Sequence, residues 1–163
     1  MIKYIFIFTI FFNSAFCVEL VGDFKQGSMI LGKTNPNSKV KIDKRNVKVS
    51  KEGYFVFGIS RERKNNVILR IFEDEKVKII EKKVFKRKYK IQRIDGLPSK
   101  QVTPPPEVYD RIKEDNRKIV KAREINSDLS FFKEKFIYPL DKYIITGVYG
   151  SQRILNGKPR SPH

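Results

Sequence analysis

In 163 residues the chain has one cysteine, one histidine and no tryptophan, and its only alanines are Ala15 and Ala122. A lone Cys17 leaves no disulfide to form within the chain. Cys17 and His163 together fall short of the four ligands that close a structural Cys/His metal site. A Cys–His catalytic pair would need a cysteine that sits at the end of a removable segment. The chain as it stands therefore carries no complete catalytic constellation. Negative charge is also scarce, with 18 Asp and Glu against 35 Lys and Arg, for a net charge of +17 and a pI near 10.0.

What is present is a foldable balance. Hydrophobic residues make up 40% and charged residues 33%, which excludes a collagen-like or wholly disordered chain. The length suits one ordinary domain or two small ones. A positive field favours anionic partners, whether nucleic acid, membrane headgroups or acidic cell-wall polymers. A chain heavy in Lys, Ile, Asn, Phe and Tyr is also what AT-rich coding sequence yields, so the charge has two possible sources.

The first 17 residues read as an export signal. Lys3 supplies a basic start, Tyr4 to Phe12 is almost unbroken apolar sequence, and Ala15-Phe16-Cys17 places small residues at the two positions that matter for a cut after Cys17. The run is too short to cross a hydrocarbon core about 30 Å thick, so no stable transmembrane anchor is expected. A lipoprotein cut before Cys17 would put the bulky Phe16 where a small residue is needed. Export to the periplasm or cell envelope disfavours nucleic acid as a partner.

Residues 18–96 predict a small antiparallel β-sandwich. Val40 and Ile42 alternate with lysines, as do Val47 and Val49 after a turn at Asp43 to Asn46. Lys51-Glu52-Gly53 turns into Tyr54 to Phe57, and Val67 to Ile71 and Val77 to Ile80 flank a charged turn at Glu73 to Lys76. Residues 97–130 predict a proline-rich hinge and a charged helix over Glu107 to Asn126, about 30 Å long, with Thr103 as its cap. Its apolar seam is thin (Val108, Ile112, Ile119, Ala122), which suits a solvated spacer lying on a neighbour, with Glu107–Arg111 and Glu114–Lys118 as supporting pairs. Residues 131–163 begin with Phe131, Phe132, Phe136 and Tyr138. They predict a strand at Tyr143 to Tyr149 and an Asn156-Gly157 turn. An aromatic strand with no partner following it suggests a domain cut short. The expected class is thus α+β.

Three strings carry a resemblance to a known family. They are Ile91-Gln92-Arg93-Ile94-Asp95-Gly96-Leu97-Pro98 with the nearby Val102-Thr103-Pro104-Pro105, then Ile144 to Ser151, and above all Gln152 to His163. Together they resemble the exported lysostaphin-like (LytM-type) zinc metallopeptidases of bacterial envelopes. The resemblance spans essentially the mature sequence and implies that residues 131–163 are the truncated start of a β-rich peptidase domain. In that family the last string leads into a His-x-x-x-Asp zinc motif, with a His-x-His pair much later.

By that resemblance His163 matches the first zinc ligand, while the Asp and the His-x-His would lie beyond residue 163. The cofactor implied for an intact parent is Zn2+, held by two His and one Asp, and none is expected on these 163 residues, which should lack peptidase activity alone. Arg153, Asn156, Gly157 and Arg160 match the loop before the first ligand. They either shape the mouth of the substrate groove or serve as turn residues and solvated cations, and Arg153 could instead anchor the loop through its guanidinium. The implied function is cleavage of peptidoglycan cross-link peptides. The alternative is a non-enzymatic envelope protein, truncated or degenerate, that binds wall or a partner through its β module. Peptidoglycan peptides or anionic cell-envelope polymers are the expected partners.

Overall fold

The structure, a computed structural model, describes residues 17–134 and 136–162. The export signal falls outside them up to residue 16, and so does His163. Cys17 is exposed.

Seven strands form the β module. They are β1 (Glu19–Val21), β2 (Met29–Lys33), β3 (Lys39–Ile42), β4 (Arg45–Val47), β5 (Tyr54–Gly58), β6 (Val67–Glu73) and β7 (Lys76–Lys82). One antiparallel sheet has the order β1-β2-β5 and the other β4-β3-β6-β7. Period-two patterning decides which side faces in. In β6, Val67, Leu69 and Ile71 are buried while Ile68, Arg70 and Phe72 are not. Ile30 and Phe55 from the first sheet meet Val40, Val67, Leu69 and Ile71 from the second in one shared core. Each fully buried large side chain contributes about 1.5–3 kcal/mol. Phe55, Ile30, Leu69, Ile71 and Val40 therefore carry most of the module's stability.

Gly32 is fixed by this packing. It lies opposite Phe55 in the β2–β5 register, and a Cβ on it would fall inside the Phe55 ring. The β3–β4 turn is pinned by Asp43, whose φ of 54° is left-handed. Its carboxylate accepts from both Nη atoms of Arg63 at 2.5 and 3.0 Å, and its carbonyl accepts from Arg70 Nη1 at 2.9 Å. The Arg63 guanidinium holds the Asp43 carboxyl below its ordinary value, and Asp43 in turn raises Arg63.

The connecting region follows the expected order with local differences. A short helix α1 (Ser99–Val102) precedes the proline run, a 3-10 turn covers Pro106–Val108, and α2 spans Tyr109–Arg123. Thr103 does not cap the long helix. Its N–H closes α1 by donating to Ser99 O, and Pro104 and Pro105 separate it from the first turn that follows. Arg111 pairs with Asp115 rather than Glu107, while Glu114 takes both Arg117 and Lys118. No residue of α2 is buried. Ile112, Ile119 and Val120 stand exposed, so the expected apolar seam is not buried against a neighbour among the described residues.

The strand expected at Tyr143 to Tyr149 is absent. Those residues form no ladder, and Ile144 is 88% exposed. β-Branched and aromatic side chains favour a strand only when a neighbouring strand takes up the backbone groups. The strands of this region lie further on, as β9 (Gln152–Leu155) and β10 (Lys158–Pro159). They join β8 (Ile91–Ile94) in a third sheet of order β10-β9-β8, antiparallel within the hairpin and parallel between β8 and β9. Three mostly antiparallel sheets and one substantial helix make this a small α+β protein. Among the described residues no helix is long and apolar enough to cross a membrane.

Candidate functional site

Two of the three strings singled out in the sequence meet in space. β8, from the first string, pairs with β9, from the third, in the register Ile91↔Gln152 to Ile94↔Leu155. The hairpin beyond β9 turns on Asn156 and Gly157, whose φ angles of 46° and 74° are both left-handed. A two-residue hairpin of this hand calls for Asn-Gly, because both central residues need positive φ.

Asn156 does more than turn the chain. Its Oδ1 accepts from the Leu97 N–H at 3.0 Å and its Nδ2 donates to the Leu97 carbonyl at 2.7 Å, across 59 positions of sequence. Its own N–H donates to Ile94 O at 2.9 Å. One side chain thus clasps both polar groups of a single backbone residue. This is the loop anchor that Arg153 was a candidate for. Arg153 lies half-buried in β9, where its carbonyl accepts from the Arg160 N–H at 2.8 Å. Arg160 is half-buried, and its carbonyl accepts from Gln152 Nε2 at 2.8 Å. Both arginines take part here through their backbones.

A second junction ties the hairpin to the β module. Tyr89 lies in the basic run before β8, with Arg61 Cζ 4.5 Å and Arg87 Cζ 5.6 Å from its ring centre. Arg61 Nε donates to Gly150 O at 2.8 Å. Gly150 has φ 83°, and a Cβ there would run into the Tyr89 ring. Stacked guanidinium and aromatic groups at this distance attract by a cation–π interaction. Tyr89 was missed in the sequence, although a lone aromatic inside Lys86 to Lys90 is the kind of signal that marks a buried contact.

Compared with family models and with curated proteins, the chain matches none. The site must therefore be read from its own geometry. Among the described residues no group of three or more His, Cys, Asp or Glu side chains could hold a metal ion. His163, the one residue here that the resemblance assigns to zinc, lies outside the described residues. The described residues thus do not furnish a zinc site, and no chemical step is derived through one.

A strap completes the region. Residues 126–134 cross the β4–β5 side of the module, where Lys48 Nζ donates to Asn126 Oδ1 at 3.0 Å and Ser127 O at 2.6 Å and pairs with Asp128 at 2.7 Å. Lys133 reaches Glu52 at 3.3 Å and stands 5.4 Å from the Tyr54 ring centre. Lys48 lowers the Asp128 carboxyl, while Glu52 is lowered by the Ser50 hydroxyl first and Lys133 second.

Proposed function

We propose that this chain is the amino-terminal part of an exported zinc metalloendopeptidase of the lysostaphin-like (LytM-type) class, acting on peptidoglycan cross-link peptides. The observation that carries the reading is the β8–β9 ladder closed by the Asn156–Leu97 clasp. Two strings chosen for their resemblance to one family, far apart in sequence, interlock residue by residue.

In this reading zinc, when bound, supplies a Lewis acid that polarises the peptide carbonyl and readies a water. The contribution of the residues at hand is positional. The clasp fixes the hairpin against β8, the turn at Asn156 and Gly157 sets the direction of β10, and Pro159 and Pro162 stiffen the approach to His163. In this reading Arg153 and Arg160 would shape the mouth of the substrate groove rather than enter the chemistry. Export and a net charge of +17 suit an acidic wall.

The test reads the coding sequence past the codon for His163. An Asp four positions on and a later His-x-His are expected, and His163→Ala in the whole protein should then abolish peptide release from peptidoglycan. Coding sequence without that Asp overturns the reading and leaves the non-enzymatic alternative, an envelope protein that binds through its β module.

A further inference from the structure

The outer face of the four-stranded sheet gathers cations around an aromatic ring. Lys39 and Lys41 flank the buried Val40, so both point away from the core, about 7 Å apart along the strand. The register sets Phe72 opposite Lys39, and Lys41 Nζ stands 5.5 Å from the Phe72 ring centre. Lys51 adds a third cation from the loop after β4, and Asn46 adds an amide. With Asp74 at the rim, these residues line an open groove of about 1020 Å³. Among the described residues neither the Lys39 nor the Lys41 ammonium group has a hydrogen bond or an ion pair.

An aromatic ring beside ammonium groups and an amide matches the chemistry of an acidic sugar. The apolar face of the sugar lies on the ring, its acid group takes charge-assisted hydrogen bonds, and its hydroxyls meet the amide. We propose that this groove binds an anionic polysaccharide, with Lys39, Lys41 and Lys51 holding the acid groups and Phe72 the sugar face. The choice of polymer rests on the exported, wall-directed reading above. The groove offers a single ring, whereas single-stranded nucleic acid is held by a series of aromatic platforms.

The test titrates the full chain with polygalacturonate, which bears a carboxylate on each sugar, with phosphomannan, which bears phosphate, with neutral dextran, and with a single-stranded oligonucleotide. Binding to one or both acidic polysaccharides and not to dextran is expected, and the tighter of the two assigns the acid group. The triple change Lys39→Gln, Lys41→Gln, Lys51→Gln should weaken binding at least about tenfold. A charge-matched control at Lys86, Lys88 and Lys113 should change it less than about twofold, since contact ammoniums outweigh a screened distant field. Phe72→Leu should weaken binding several-fold while thermal unfolding stays in place.

Equal weakening by the control triple, or tighter oligonucleotide binding through the same lysines, overturns the proposal. So does absence of binding to both acidic polymers at low salt. Peptide release from peptidoglycan by the whole protein is scored separately. Binding without release removes the peptidase reading and leaves the groove, while release without binding removes the groove alone.

Discussion

Replacing Asn156 by alanine separates two roles that this residue combines. The first is the clasp on Leu97, two hydrogen bonds at 3.0 and 2.7 Å in an exposed setting. Net hydrogen-bond contributions run about 0.5–1.5 kcal/mol each, and exposure places these toward the lower end, for about 1–2 kcal/mol together. The second is the left-handed backbone at φ 46°, which costs an alanine about 1 kcal/mol more than it costs asparagine. Asn156→Ala should therefore loosen the β8–β9–β10 sheet by about 2–3 kcal/mol. Asn156→Gly keeps the backbone and loses only the clasp, so it should cost about 1 kcal/mol less.

Amide hydrogen exchange is the assay, read at the N–H of Leu97 and of Asn156 itself, which donate to Asn156 Oδ1 and Ile94 O. Local opening free energies of that size lower protection about 30- to 150-fold for the alanine variant, at tenfold per 1.4 kcal/mol. Amides of Leu69 and Ile71, in the core of the β module, should keep theirs. Equal protection in the parent and both variants would refute the clasp as the element that holds the third sheet.

Other parts of the structure make their own predictions. Gly32→Ala drives a methyl into the Phe55 ring and should destabilise the β module by about 1–3 kcal/mol, seen as a lowered denaturation midpoint with an unchanged slope. The Asp43 carboxyl is held below its ordinary value of 3.8 by Arg63, so the folded state binds fewer protons than the unfolded state in that range. Its stabilising effect is fully present above about pH 5 and is lost as pH falls through the folded value. Asp43→Asn should lower stability at pH 7 and flatten the acid limb of the unfolding curve, and an unchanged limb would count against the pair. Lys48→Met keeps an apolar stem but removes three contacts to residues 126–128, so limited proteolysis should cut there faster, as it should for the parent in high salt.

Local pattern carried the β module well and the rest less so. β3 and β6 alternate cleanly, with Val40 and with Val67, Leu69 and Ile71 turned into the core, which is what period two reports. β5 is apolar on both faces, and β7 leaves its alternating pair Val77 and Ile79 exposed. β1 is only three residues long, and β2 carries a glycine inside it, so neither stood out. The Gly32 that weakened the β2 signal is required there by the Phe55 ring, a cross-strand fact invisible along the chain.

Tyr143 to Tyr149 shows the opposite failure. Its residues favour strands strongly, yet propensity cannot supply a partner, and no ladder forms. In the candidate site the Asn156-Gly157 turn was legible because two positive-φ positions demand those residues. The clasp was not, because its other half is the backbone of Leu97, which any residue could provide.

The function we propose is that of a zinc endopeptidase that works on the cell wall. It is tested most directly by incubating the whole protein, encoded through and beyond His163, with purified peptidoglycan and scoring new peptide amino termini by mass spectrometry. The account predicts cleavage within the cross-link peptides that stops with a chelator, returns with Zn2+, and is lost in His163→Ala. Intact cross-links in the presence of Zn2+, with the protein folded and bound to the wall, would contradict it.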